Sequence, residues 1–174
     1  MTSKQRFTRA MDRVYVACIA LSGAALVVIT VIIPIGVFMR YVMNSPLSWP
    51  EPAAVCLIVM FSFIGGAAVY RANVHIAVEA LLNAVGPPVR RFMLWGVNVS
   101  MGLTAAFMLV YGVHLCQITW FQTVAEFPAL RQSFVYLPIP IAGLLTLLFL
   151  FERMWVGEPA RDSVMFSDQP TGLD

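Results

Sequence analysis

Arg71, His75 and Glu79 stand four residues apart and are the titratable residues whose spacing best allows joint chemistry. On a continuous helix such positions share one face. A cation, an imidazole and a carboxylate in line can pass a proton, dock on a partner, or form a strip facing water and headgroups. A bend at the membrane surface would break that register. His75 and His114 are the two histidines, and a bis-histidine haem would need both at one iron. Cys18, Cys56 and Cys116 lie in or beside apolar runs without CxxC or Cys/His metal spacing. They read as small buried hydrophobes; a Cys56–Cys116 disulfide in an oxidising compartment is the alternative. Arg40 and Glu51 flank a short loop and can pair with each other; Arg40 can also snorkel to headgroups or meet a partner's carboxylate. Glu126 and Arg131 fall in a later loop, solvated or facing a partner. There is no phosphate-cradling loop and no metal motif. These residues do not suggest an enzyme, and they imply no cofactor.

The elements that position these charges are membrane helices. Of 174 residues, 60% are hydrophobic and 11% charged; soluble domains carry about 25% charged residues. The mean hydropathy is +0.81. A bilayer core of about 30 Å takes about 20 apolar residues per helical span. Four such runs fit, at residues 14–39, 49–70, 92–116 and 133–155. The fold class expected is an all-α integral membrane protein with four transmembrane helices in a single membrane domain, 1–174. The first run is too long for the apolar region of a signal peptide, about 7–15 residues, and reads as a retained anchor. Its length implies tilt or protrusion, and Pro34 can kink it.

Ser48 is placed to cap the second helix, with Pro50 and Pro52 in its first turn and Glu51 suited to the helix dipole there. Trp49 and Pro138 sit at the starts of spans two and four. Ser62, Gly65 and Gly66 on span two, and Gly96 and Ser100 on span three, are small residues that allow close helix packing. Residues 73–85 show helical periodicity but are too few to cross a bilayer. They predict a short interfacial amphipathic helix between spans two and three, ended by Gly86-Pro87-Pro88. Residues 122–132 read as a loop and 157–174 as a polar tail.

Charge asymmetry predicts orientation. Lys4, Arg6, Arg9, Arg13, Arg71, Arg90, Arg91, Arg153 and Arg161 fall on one side, and Arg40 and Arg131 on the other. The positive-inside rule then puts both termini in the cytoplasm. It also separates His75 from His114 by one bilayer thickness, roughly 30 Å, which argues against a haem held by this pair within one chain. Trp49, Trp95, Trp120 and Trp155 all fall near span ends, as an aromatic belt requires. The basic N-terminal residues lead straight into an apolar helix, so they suggest a membrane surface and no nucleic-acid partner.

With these residues placed, the chain resembles the small membrane subunit of tripartite ATP-independent periplasmic (TRAP) transporters, the DctQ-like or Q subunit. The resemblance rests on Arg40-Tyr41, Trp49 with Glu51, Gly65-Gly66, and Arg71 with His75-Ile76-Ala77-Val78. Phe127-Pro128-Ala129-Leu130 and Tyr136-Leu137-Pro138 complete it, and it covers residues 10–155. Pro52 departs from it, standing where the family often has a second acid. The resemblance implies a bacterial inner-membrane complex. A large subunit would carry substrate and sodium sites, and a periplasmic binding protein would deliver an organic acid, typically a carboxylate. This chain would be the fixed scaffold. Arg40, Trp49, Glu51, Arg71, His75, Glu79 and Pro138 are the candidates for helix-end pairing and subunit contacts. The membrane anchor of a redox enzyme and a stand-alone channel or carrier are the alternatives.

Overall fold

The structure is a computed structural model that describes residues 3–72 and 86–156. Four apolar helices long enough to cross a membrane dominate it. Helix α1 is Ser3–Tyr41, α2 Pro50–Ala72 and α3 Pro87–Ile118. A two-stranded ribbon follows, β1 Thr123–Val124 and β2 Phe127–Arg131, then a single helical turn and a half, α4 Gln132–Tyr136, and α5 Pro138–Val156. The chain is a multi-pass membrane protein. The interfacial helix expected at 73–85 and the tail at 157–174 lie outside the described residues.

The helices pack in the order α1, α2, α5, α3, with α2 and α5 inside. Buried residues of α1 fall at Met11, Tyr15, Cys18, Ser22, Ala25 and Ile29, alternating steps of four and three. On α2 the steps repeat through the buried Pro50, Ala54, Ile64, Ala68 and Arg71, with the half-buried Leu57 and Phe61 between them. That 3.5-residue period is the seam of a left-handed helix pair. Small residues bring the two backbones close: a methyl group on Gly36 would stand 3.1 Å from Pro50 Cβ, and one on Gly65 3.3 Å from Ser22 Oγ. The tightest crossing joins α3 to α5. A Cβ on Gly143 would lie 2.8 Å from the backbone of Ala105 and Leu109, and one on Gly112 2.8 Å from Pro140 Cδ.

Several boundaries differ from the sequence expectation. Helix α1 starts eleven residues before position 14, because its polar first turns contain no Gly or Pro and Phe7 packs against Phe151 and Trp155 of α5. It also continues past Pro34. Helix α2 begins at Pro50, so Trp49 and not Ser48 holds the cap position. Gly86 is the extended N-cap of α3, with prolines in the first turn where their missing N–H costs nothing. The expected loop at 122–132 is partly an antiparallel ribbon, pairing Thr123 with Arg131 and Val124 with Phe127. The fourth span is broken before Pro138, where α5 begins.

Candidate functional site

The ionic centre of the molecule is Arg71, at the last turn of α2. Its Nε donates to Glu152 Oε2 and its Nη2 to Glu152 Oε1, both at 2.8 Å. This is the two-pronged match of guanidinium to carboxylate. Nη2 also donates to Asp12 Oδ1 at 2.8 Å. The guanidinium carbon lies 5.5 Å from the Tyr15 ring centre and 5.4 Å from that of Phe149, within cation–π range. One side chain therefore ties α1 through Asp12 and Tyr15, and α5 through Phe149 and Glu152, to the end of α2. The Arg71 side chain is 2% exposed and that of Glu152 6%; Asp12 is looser at 23%. A desolvated charge is tolerable only when paired and hydrogen-bonded, and this cluster meets that condition within one chain.

Around it the packing is aromatic. Phe7 meets Phe151 edge-on with centroids 6.2 Å apart and lies 5.8 Å from Trp155. Lys4 Nζ donates to the Trp155 carbonyl at 3.2 Å, a cation on one of the last carbonyls of α5. The polar start of α1 is thus packed on the end of α5.

The opposite end of the α1–α2 hairpin carries the second ion pair. Arg40 Nη2 and Glu51 Oε1 lie 2.8 Å apart, with side chains 45% and 72% exposed. Asn44 turns the intervening loop at φ 49°, a left-handed conformation that Asn tolerates. Beyond α3, the Arg131 guanidinium sits 4.8 Å from the Trp120 ring centre, and Trp120 lies against Phe134 with centroids 6.3 Å apart. Arg131 thus stacks on an aromatic face.

The other residues singled out from sequence fall in different places. Trp49 is exposed and Pro138 buried. Gly65 faces Ser22 of α1, whereas Ser62 and Gly66 lie on the outward stripe of α2 with Val55, Ile58 and Val69. Gly96 has open space where a Cβ would stand, and Ser100 is exposed. His75 and Glu79 lie outside the described residues. His114 is exposed on α3, and the three cysteines are free thiols. Among the described residues, no three of His, Cys, Asp and Glu come together to hold a metal ion.

Residues 29–158 match the family model for tripartite ATP-independent periplasmic transporters, DctQ component. The chain belongs to the DctQ family. It is also 25% identical over 129 residues to a Haemophilus influenzae protein named "Putative TRAP transporter small permease protein", covering 74% of this chain and 80% of that one. As a DctQ-family protein the chain is a component of a TRAP transporter. The family match begins at residue 29, so Asp12 lies before it and Glu152 within it. Sequence reasoning passed over the two carboxylates that bond Arg71, Asp12 and Glu152. Asp12 was the one acid of a basic segment, and Glu152 is flanked by Phe151 and Arg153. The available signal was an arginine and two carboxylates placed at the same membrane end of three different helices.

Proposed function

We propose that this chain is the static scaffold subunit of a sodium-coupled TRAP transporter that imports an organic acid. In this reading a periplasmic binding protein delivers the substrate. The large membrane subunit carries the substrate and sodium sites, and this chain braces it in the inner membrane as a single membrane domain. The supporting observation is the Arg71 cluster. Buried Arg71 bonds both buried Glu152 and the half-buried Asp12 and so ties three helices together, which suits a rigid brace. Both termini are cytoplasmic in this proposal, so the Arg71 cluster lies at the inner face and the Arg40–Glu51 pair at the outer.

Proteoliposomes test the division of labour. Vesicles with the large subunit, this chain and the binding protein should accumulate the organic acid under an inward sodium gradient. Vesicles with this chain alone should take up none. Uptake by this chain alone would overturn the scaffold assignment. For orientation, a reporter fused after Asp174 should resist external protease in intact cells.

A further inference from the structure

The end of the bundle opposite the Arg71 cluster carries an aromatic patch that the helices leave uncovered. Phe121, just after α3, is 91% exposed, Phe134 of α4 52% and Trp120 43%. Trp120 lies against Phe134, and the Arg131 guanidinium stands 4.8 Å from the Trp120 ring centre. The turn after α3, the end of β2 and helix α4 thus bring three aromatic rings and one cation to the same place.

Depth is bounded from both sides. Phe134 and Glu152 lie on a nearly continuous helix, since Leu137 between α4 and α5 keeps a right-handed helical backbone. At 1.5 Å per residue they stand about 27 Å apart, close to the thickness of a hydrocarbon layer, about 30 Å. Glu152 and Arg71 mark one edge of that layer, because charge is costly further in. On the far side, the β1–β2 ribbon is two-stranded. Its outer edges leave backbone groups unpaired, and such edges do not lie in hydrocarbon. Trp120, Phe121 and Phe134 therefore fall where hydrocarbon meets headgroups, the level that aromatic rings favour.

Charge decides what meets the patch. Arg131 is exposed, and among the described residues no carboxylate pairs with it. A guanidinium carries five N–H donors and can offer two of them to one phosphate. At this depth the phosphates belong to lipid headgroups.

We propose that Trp120, Phe121, Phe134 and Arg131 form a lipid anchor in the leaflet opposite the Arg71 cluster. Phe121 and Phe134 enter the boundary of the acyl chains. Arg131, held on the Trp120 ring, binds the phosphate of an anionic phospholipid. The anchor fixes the depth of the end of α3, an edge helix of the bundle. It does so in either orientation of the chain across the membrane.

The test uses the full chain in vesicles of phosphatidylglycerol and phosphatidylcholine. The chain carries Cys18→Ala, Cys56→Ala and Cys116→Ala, with a bimane fluorophore on Phe121→Cys. Lipids bearing a nitroxide near the headgroup end of one chain should quench this fluorophore, and aqueous iodide should not. A fluorophore on Glu126→Cys, an exposed position in the ribbon turn, should show the reverse. Nitroxide-labelled phosphatidylglycerol should quench position 121 more than labelled phosphatidylcholine does. A basic residue near an anionic surface contributes about fivefold in binding, so Arg131→Gln should lower this preference about fivefold. Arg131→Lys keeps the cation and should keep most of the preference. Circular dichroism verifies that each variant retains its helix content. Iodide quenching at 121 equal to that at 126, or an unchanged preference in Arg131→Gln, would overturn the proposal. So would iodide quenching at 121 that falls when the binding protein is added, because the patch would then dock that protein. Loss of the preference to inorganic phosphate at the lipid's concentration would also overturn it, since Arg131 would then hold free anions.

Discussion

Removing the Arg71 side chain should be the most costly single change to this bundle. Arg71→Met keeps an unbranched chain of similar length but leaves Glu152 enclosed without its cation. Three hydrogen bonds of 2.8 Å and two aromatic contacts are lost at once. Breaking a buried pair by deleting one partner costs about 3–5 kcal/mol. Asp12 contributes less to this figure, since at 23% side-chain exposure water can take over part of its solvation. Glu152→Gln should cost less than Arg71→Met, because Gln still offers an acceptor to the guanidinium. Asp12→Asn should cost about 1 kcal/mol, the ordinary net worth of one hydrogen bond. The double variant Arg71→Met, Glu152→Leu separates electrostatics from packing. Replacing both members of a buried pair by apolar groups is often neutral or stabilising, so the double variant should be more stable than Arg71→Met alone. Stability is read from equilibrium unfolding in mixed micelles with increasing dodecyl sulfate, followed by tryptophan fluorescence. If Arg71→Met falls within about 1 kcal/mol of wild type, or the two substitutions add, the cluster does not hold the bundle together.

The exposed ion pair should behave differently. Arg40→Ala or Glu51→Ala should change stability by no more than about 0.5 kcal/mol, since both side chains face solvent or headgroups; a loss above about 2 kcal/mol would show that the pair is shielded. Gly143→Ala should destabilise by about 1–3 kcal/mol, because its methyl group would meet the α3 backbone at 2.8 Å. Gly96→Ala meets nothing within 4 Å and should be neutral or stabilising by up to about 1 kcal/mol in the same unfolding assay.

Composition carried most of the fold. Four spans follow from hydropathy and length alone, and each apolar run is helical in the structure, although α1 begins eleven residues earlier and the fourth run is divided before Pro138. The elements that sequence missed depend on tertiary partners. The first turns of α1 are polar, and Phe7 needs Phe151 and Trp155, more than 140 positions away, to hold them. The ribbon after α3 pairs residues whose apolar pattern is too short to signal a strand. The close crossing of α3 and α5 falls at Gly112 and Gly143, not at Gly96 and Ser100. Composition marks which helices carry small residues, but the rotation of each helix decides which of them face a neighbour.

The same limit explains Arg71. A spacing of four residues places Arg71, His75 and Glu79 on one face, and along a single helix that inference is sound. It takes no account of Asp12 and Glu152, which converge on Arg71 from 59 and 81 residues away. A guanidinium already bound to two carboxylates, with its ring contacts made by Tyr15 and Phe149, is committed to the bundle interior. Charge reversal at Arg71 would therefore reduce recovery of a TRAP complex by loosening α1, α2 and α5, whether or not the residue touches another subunit. Glu79 is the cleaner probe of a docking strip. Glu79→Lys should weaken co-purification with the large subunit while the isolated chain unfolds as the wild type does. If recovery is unchanged, the strip meets headgroups or water, and Arg71 acts only as an internal tie.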